Sequence, residues 1–173
     1  LRENLELVRK TRAEQRRRRQ KNEIPVVALV GYTNAGKSTI LNALTGADIP
    51  ANNRLFDTLD TTTRQLTVSD TCQVLLSDTV GFIAKLPHHL VEAFKATLEE
   101  LEYADVLIHV IDSSDAERQE HMAVVERLIS QLAKPGVPVI RCYNKCDLLE
   151  PEDLPRETGS VCISAKTGEG VDL

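Results

Sequence analysis

The residues with the clearest chemistry lie between Gly31 and Thr39, where the sequence GYTNAGKST matches the pattern GxxxxGK[ST]. In this pattern a glycine lets the backbone turn so that consecutive N–H groups face phosphate oxygens. Lys37 can place a positive charge at the β- and γ-phosphates of a nucleotide, and the Ser38 hydroxyl can bind Mg²⁺. We therefore predict a phosphate site made of Gly31, Tyr32, Thr33, Asn34, Ala35, Gly36, Lys37, Ser38 and Thr39.

A second short pattern, DxxG, spans residues 78–81 and follows a predicted strand. The Asp78 carboxylate can hold Mg²⁺ through water, and Gly81 can present its backbone N–H to a γ-phosphate. By itself the pattern is weak, because an aspartate that caps a turn would look the same. Together with the phosphate site, it adds Asp78, Thr79, Val80 and Gly81 to the predicted nucleotide contacts.

Two further segments carry groups suited to a guanine base. Asp147 can accept two hydrogen bonds from the guanine ring N–H and exocyclic amine, which adenine does not offer as a pair. An unpaired buried carboxylate is costly, so the pattern favours GTP and GDP over ATP. The Lys145 stem can cover a face of the base, and the segment 164–166 can bring a backbone N–H to the guanine carbonyl oxygen. The predicted guanine site comprises Asn144, Lys145, Cys146, Asp147, Ser164, Ala165 and Lys166.

The elements between these segments alternate between strand and helix. The continuous apolar run Val26–Val30 predicts a strand that is buried on both faces. A buried strand is also predicted at Val106–Ile111, with further strands at Val137–Cys142 and Val161–Ile163. Helical spacing predicts helices from Ile40 to near Gly46, over Leu90–Leu101 and over residues 115–133, with a strand pair at Arg64–Ser69 and Gln73–Ser77. Residues 47–63 show no clear period and are predicted to form a long loop, of a length that is usually functional or mobile. The alternation predicts a doubly wound α/β fold with a mostly parallel sheet and one antiparallel edge strand.

Charge divides the chain into two parts. Residues 1–21 hold nine Lys/Arg against three Glu, whereas the remainder carries a net charge of −11. We predict a basic helical linker over residues 1–23, with an RNA contact or a solvated helix as alternatives, and a nucleotide-binding domain over residues 24–173. The pattern stops where another helix is expected, which suggests a truncated domain.

Composition excludes several other classes of protein. Aromatic residues make up only 3% of the chain, which argues against a single-strand binder built on stacking platforms. No apolar run is long enough for a membrane span, and no secretory signal is evident. The four cysteines lack the CxxC pairing of common zinc sites, so a cytoplasmic setting fits best, and no oligomeric state is predicted.

The phosphate loop, the segments FDTLDTTTR, DTVGFI and LPHHLVEAFKATLEEL, and the basic helix together resemble the HflX family of ribosome-associated GTPases. The resemblance covers essentially residues 1–173 and implies a Ras-like P-loop NTPase fold with a six-stranded sheet. It also implies GTP hydrolysis, binding to the large ribosomal subunit and its rRNA, and in some members the splitting of stalled ribosomes. The family's own N-terminal domain would precede this chain.

The resemblance also assigns a switch segment and catalytic groups. FDTLD matches the family's first switch and adds Phe56, Asp57, Thr58, Leu59 and Asp60 to the nucleotide contacts. Thr58 is then a Mg²⁺ ligand beside Ser38 and Asp78, with Thr61 or Thr62 as alternatives because Thr61 stands where the family commonly has proline. The catalytic groups are Lys37, Thr58 and Gly81.

Two side chains near the phosphates bear on the rate of hydrolysis. Phe82 stands where many GTPases have a glutamine that orients the attacking water, so we predict slow intrinsic turnover and name no general base. Asn34 matches a position that helps bind K⁺ in some related GTPases. The alternatives to a GTPase are a nucleotide-sensing binding module with negligible hydrolysis and an ATP-dependent kinase or ATPase.

Overall fold

Six strands form one sheet in the order β2-β3-β1-β4-β5-β6 in a computed structural model that describes residues 24–46, 62–79, 81 and 101–171. The strands are β1 (Val26–Gly31), β2 (Thr62–Ser69), β3 (Cys72–Asp78), β4 (Val106–Asp112), β5 (Val139–Asn144) and β6 (Ser160–Cys162). Only β2 and β3 pair antiparallel, and β2 lies at the edge. This confirms the predicted mostly parallel sheet with one antiparallel edge strand.

A helix packs on each face of the sheet. On one side α1 (Lys37–Thr45) buries Ile40 and Leu41 against Leu29 of β1. On the other side α2 (Arg118–Leu132) buries Val125 and Ile129 in a cluster that also holds Val30. Because side chains alternate along a strand, β1 contributes to both clusters, which explains its unbroken apolar sequence. No helix among the described residues combines the length and apolarity needed to cross a bilayer.

Several predicted element boundaries were wrong by a few residues. β5 begins at Val139 rather than Val137 and continues to Asn144, which pairs with Asp112. β2 already begins at Thr62, inside the predicted loop, because it pairs with β3 as far as Asp78. β6 runs one residue earlier than predicted. The predicted helix over 90–101 is represented only by helical residues 101–103, since 90–100 lie outside the described residues.

The start of α2 was also predicted too early. The Asp115 carboxylate accepts a hydrogen bond from the Glu117 N–H at 2.9 Å, which closes a turn before the helix begins at Arg118. Aspartate side chains commonly compete with helical hydrogen bonds in this way. The polar turn therefore takes the place of the first helical turn that the sequence suggested.

His109 of β4 is buried, as its apolar surroundings in the sequence predicted, but it is not a fully hydrogen-bonded core residue. The residue is 1% exposed, and its Nδ1 has no hydrogen-bond partner among the residues that the structure describes. Burial, together with the positive charge of the neighbouring Arg141, lowers the pKa of His109 to about 4. The imidazole is therefore neutral inside the sheet–helix interface at neutral pH.

Candidate nucleotide-binding site

The loop from Gly31 to Gly36, which we call the phosphate loop, joins β1 to α1. It turns through a hydrogen bond from the Ala35 N–H to the Tyr32 carbonyl at 3.3 Å, and Gly36 has a φ of 98°. A Cβ on Gly36 would lie 2.2 Å from the Asn144 Nδ2 atom. Both the left-handed backbone and the lack of space therefore require glycine at this position. The loop places the first N–H groups of α1 at the sheet edge, where they can face an anion.

Lys37 points its ammonium group back into the phosphate loop. Its side chain is 6% exposed, and Nζ donates a hydrogen bond to the Tyr32 carbonyl at 3.2 Å. Burial lowers the pKa of Lys37 to about 8, against the opposing effect of the Asp78 carboxylate. The group thus remains largely protonated at neutral pH, and the loop holds a cation where phosphate oxygens would be bound.

Ser38 and Asp78 bring a hydroxyl and a carboxylate together. The Ser38 Oγ donates to the Asp78 Oδ2 at 2.6 Å, and Asp78 is fully buried at the end of β3. The next residue is held by its own hydrogen bond, from the Thr79 Oγ1 to the Leu29 carbonyl at 2.6 Å. The Ser38 hydroxyl and the Asp78 carboxylate are hard oxygen donors of the kind that Mg²⁺ prefers.

Gly81 lies close to the phosphate loop. A Cβ there would stand 2.7 Å from the Thr33 Cα and 3.2 Å from the Lys37 Nζ. Glycine allows this close approach of two backbones, as the DxxG pattern requires. The segment after β3 is therefore brought to the same place as the phosphate loop.

Asn144 joins the phosphate loop to the loop that follows β6. Its Nδ2 donates to the Ala35 carbonyl at 2.9 Å, and its Oδ1 accepts from the Ala165 N–H at 3.0 Å. Asn144 is 3% exposed, and Ser164 beside Ala165 is fully buried. One amide side chain therefore connects the groups suited to phosphate with those suited to guanine.

The rest of the predicted guanine site surrounds Asn144. Lys145 has a φ of 64°, and the turn Cys146–Leu148 that follows is held by a hydrogen bond from the Cys146 N–H to the Ile163 carbonyl at 3.1 Å. The left-handed residue turns the chain away from β5, leaving Asp147 exposed to solvent. Lys166 is likewise exposed, in the loop that Ser164 begins. The acceptor predicted for guanine is thus open to a ligand.

Asp112 is a site residue that the sequence analysis missed. Its Oδ2 lies 2.5 Å from the Lys145 Nζ, and its Oδ1 accepts hydrogen bonds from the backbone and hydroxyl of Ser114. This carboxylate therefore holds the lysine that is predicted to cover the base. A signal was present, because Asp112 ends β4 at the same sheet edge as the other motif residues.

Several predicted contacts lie outside the described residues. They are Val80 and the switch residues Phe56, Asp57, Thr58, Leu59 and Asp60. Of the two alternatives to Thr58, Thr61 is also outside, whereas Thr62 lies in β2 with its backbone opposite Asp78. The choice of threonine for Mg²⁺ stays a prediction.

The segments just described follow β1, β3, β5 and β6. Residues 26–145 match the family model described as 50S ribosome-binding GTPase. The chain belongs to this family. The match begins at the first residue of β1 and extends to Lys145 of the predicted guanine segment. It therefore includes the phosphate loop, the DxxG segment and the start of the NKxD segment.

Relatives named GTPase HflX confirm the resemblance seen in the sequence. The chain is 55% identical over 172 residues to the one from Caldanaerobacter subterraneus subsp. tengcongensis and 44% identical over 173 residues to the one from Escherichia coli. These alignments cover 98% and 96% of this chain. They cover only 40% and 41% of the two relatives, so the chain spans less than half the length of either.

Solved structures of Era share the fold of this GTPase domain. An Aquifex aeolicus Era variant bound to GDP·AlF₄⁻ has a TM-score of 0.73 at 27% identity, covering 86% of this chain and 54% of that one. Era in complex with MgGDPNP and nucleotides 1506–1542 of 16S ribosomal RNA has a TM-score of 0.69 at 28% identity, covering 86% and 53%.

Proposed function

We propose that this chain binds GTP with Mg²⁺, hydrolyses it to GDP and phosphate, and acts as a nucleotide-dependent switch on the large ribosomal subunit. The observation that carries the proposal is the Asn144 amide, which joins the phosphate loop to the loop containing Ala165. Because of this link, groups suited to a triphosphate and groups suited to guanine lie at one edge of one sheet. The family match supports the same function.

In the proposed reaction, a water oxygen attacks the γ-phosphorus and the bond from that phosphorus to the β–γ bridging oxygen breaks. The products are GDP, inorganic phosphate and a proton. Lys37 neutralises charge that develops on the phosphate oxygens, and the Gly81 N–H contributes a hydrogen bond to the γ-phosphate. With Phe82 after Gly81, no side chain at that position can orient the water, so we expect slow intrinsic turnover.

The residues present fit a Mg²⁺ ion. Ser38 and Asp78 supply a hydroxyl and a carboxylate 2.6 Å apart at the phosphate loop, and a threonine of the first switch, Thr58 in our proposal, completes the protein ligands. When bound, the ion supplies positive charge at the β- and γ-phosphate oxygens.

Asn34 is the proposed contact for a second cation, K⁺. It lies in the phosphate loop with a φ of 62°, and its side chain is exposed. A carboxamide oxygen is a suitable ligand for such an ion. We expect faster GTP hydrolysis in K⁺ than in Na⁺ at matched ionic strength, with the difference lost in Asn34→Ala. Equal rates in the two salts would remove K⁺ from the proposal.

The large-subunit part of the proposal is supported by the family description, and contact with rRNA in general is supported by the 16S ribosomal RNA bound to Era. The basic segment over residues 1–23, proposed as a helical linker ahead of the domain at 24–173, offers charge for rRNA phosphates. Ribosome splitting and a cytoplasmic location belong to the same proposal. They rest on the similarity to the HflX proteins, of whose length this chain spans less than half.

The deciding experiment measures single-turnover hydrolysis of GTP by this chain, with and without purified large ribosomal subunits. We expect slow hydrolysis alone and faster hydrolysis with subunits, and both rates should fall in Ser38→Ala. Binding of GTP without any hydrolysis would favour the nucleotide-sensing module instead. A rate that subunits leave unchanged would remove the ribosome from the proposal.

Base specificity needs its own measurement. Unlabelled GTP should displace a fluorescent GDP analogue far more effectively than unlabelled ATP does, because Asp147 offers acceptors that only guanine can pair with. Comparable affinities would favour the ATP-dependent kinase or ATPase and contradict the guanine site.

A further inference from the structure

An aromatic pair links the phosphate loop to α2. The ring of Tyr32, the second residue of the phosphate loop, stacks on the imidazole of His121, with centroids 3.6 Å apart and planes inclined by 12°. His121 lies in the first turn of α2, beyond the strand β4 that pairs with β1. The motif patterns include Tyr32 only as a variable position and do not include His121.

The imidazole is itself held by two carboxylates. Its Nδ1 lies 2.5 Å from the Asp115 Oδ2, and its Nε2 lies 3.5 Å from the Glu117 Oε2. The turn at Asp115–Glu117, which precedes the start of α2, therefore fixes the plane of the His121 ring. A stacked partner with a fixed plane restricts the ring of Tyr32 more than general apolar contact would.

Tyr32 occupies the position on which the loop turns. Its carbonyl oxygen accepts hydrogen bonds from the Ala35 N–H at 3.3 Å and from the Lys37 Nζ at 3.2 Å. Any rotation of the Tyr32 backbone would therefore move the acceptor that orients the buried ammonium group. The side chain of Tyr32 is the means by which α2 can control that rotation.

The stack borders open space. Among the described residues, both rings line a cavity of about 400 Å³ whose walls also include Asp115 and Arg118. Tyr32 is partly buried and also packs against the core cluster that includes Val30, so the stack with His121 adds to this packing on the side of the cavity. The side chain of His121 is 19% exposed, which makes its replacement tolerable for folding.

We propose that His121 is a positioning residue for GTP binding and hydrolysis, which acts by stacking on Tyr32 and so fixing the phosphate-loop turn that orients Lys37. The inference rests on the proposed function, because it concerns how this chain holds the triphosphate. It assigns His121 no contact with the nucleotide.

The test compares His121→Ala, His121→Phe and Tyr32→Leu with the double variant His121→Ala/Tyr32→Leu. For each protein, GDP and GTP affinities, the single-turnover hydrolysis rate and the urea-dependent free energy of unfolding without nucleotide are measured. Ile129→Ala, two turns further along α2 and buried, serves as the control for a general loss of stability.

Aromatic pairs contribute about 0.5–1.5 kcal/mol beyond their burial, which corresponds to about 2- to 13-fold in an equilibrium or rate constant. We expect His121→Ala and Tyr32→Leu each to weaken nucleotide binding or slow hydrolysis by about 3- to 10-fold. His121→Phe should be less impaired than His121→Ala, because it keeps a stacked ring although it loses the contacts with Asp115 and Glu117. The double variant should be no worse than the poorer single variant, because both substitutions remove one interaction.

Three results would overturn the inference. One is a His121→Ala chain that loses stability but keeps its nucleotide affinity and rate, as expected for Ile129→Ala. Another is a double variant whose losses add, and the third is a His121→Phe chain as impaired as His121→Ala. If the unmodified chain neither binds nor hydrolyses GTP, the proposed function itself fails, and that result is distinct from these three.

Discussion

Substitution of Asn144 by aspartate tests the connection between the two halves of the site. The carboxylate would still accept from the Ala165 N–H, but it could no longer donate to the Ala35 carbonyl, which now lies 2.9 Å from Nδ2. Two oxygens would face each other at a position that is 3% exposed. The phosphate loop is therefore expected to move away from β5 when no nucleotide is bound.

The size of the effect follows from the hydrogen bond that is lost. A buried carbonyl left without its donor costs about 1–3 kcal/mol. Because nucleotide binding must bring the loop back beside residue 144, much of this cost appears in the binding free energy. At about 1.4 kcal/mol for each factor of ten, GDP affinity should fall by roughly 5- to 100-fold.

The affinity is measured by displacement of a fluorescent GDP analogue in the presence of Mg²⁺, together with urea unfolding of the nucleotide-free chain. Asn42→Asp in α1 is the matched control, since it makes the same change of charge away from the loops at residues 35 and 165. An Asn144→Asp chain that unfolds cooperatively and binds GDP within twofold of the unmodified chain would refute the reasoning.

Three further substitutions test other parts of the site and the core. Asp147→Asn should weaken GDP binding by roughly 10- to 1000-fold, the scale of a lost charge-assisted pair, and an unchanged affinity in the displacement assay would contradict the role given to Asp147. Gly36→Ala should abolish measurable GDP binding, because a Cβ would stand 2.2 Å from the Asn144 Nδ2 at a φ of 98°. Gly46→Ala, also at positive φ but with no atom of the described residues within 4 Å of its Cβ, should lose stability and keep its affinity. In the folded chain His109, with its pKa near 4, stays neutral, whereas in the unfolded chain it takes up a proton below about pH 6.5. The free energy of unfolding should therefore fall by about 3 kcal/mol between pH 6.5 and 4. That share of the loss should be missing from urea titrations of His109→Leu. Identical pH profiles for the two proteins would show that folding does not lower the pKa of His109.

Much of the fold could be predicted because its signals are local. The unbroken apolar run of β1 predicts a strand that is buried on both faces, and the structure confirms this. The ends of β5 and α2 were mispredicted because they depend on pairing with Asp112 and on the Asp115 turn, neither of which has a periodic signal.

The sequence by itself predicted which kinds of groups are suited to a ligand. Phosphate and guanine each require particular residue types at short, nearly invariant spacings, and those spacings lie within single loops such as 31–39 and 144–147. Tertiary structure decided how the loops hold one another. Asn144 reaches Ala35 across 109 residues, Asp112 reaches Lys145 across 33, and His121 stacks on Tyr32. Such contacts depend on strand order and register, which bring residues far apart in the chain to one sheet edge, and no local pattern records them.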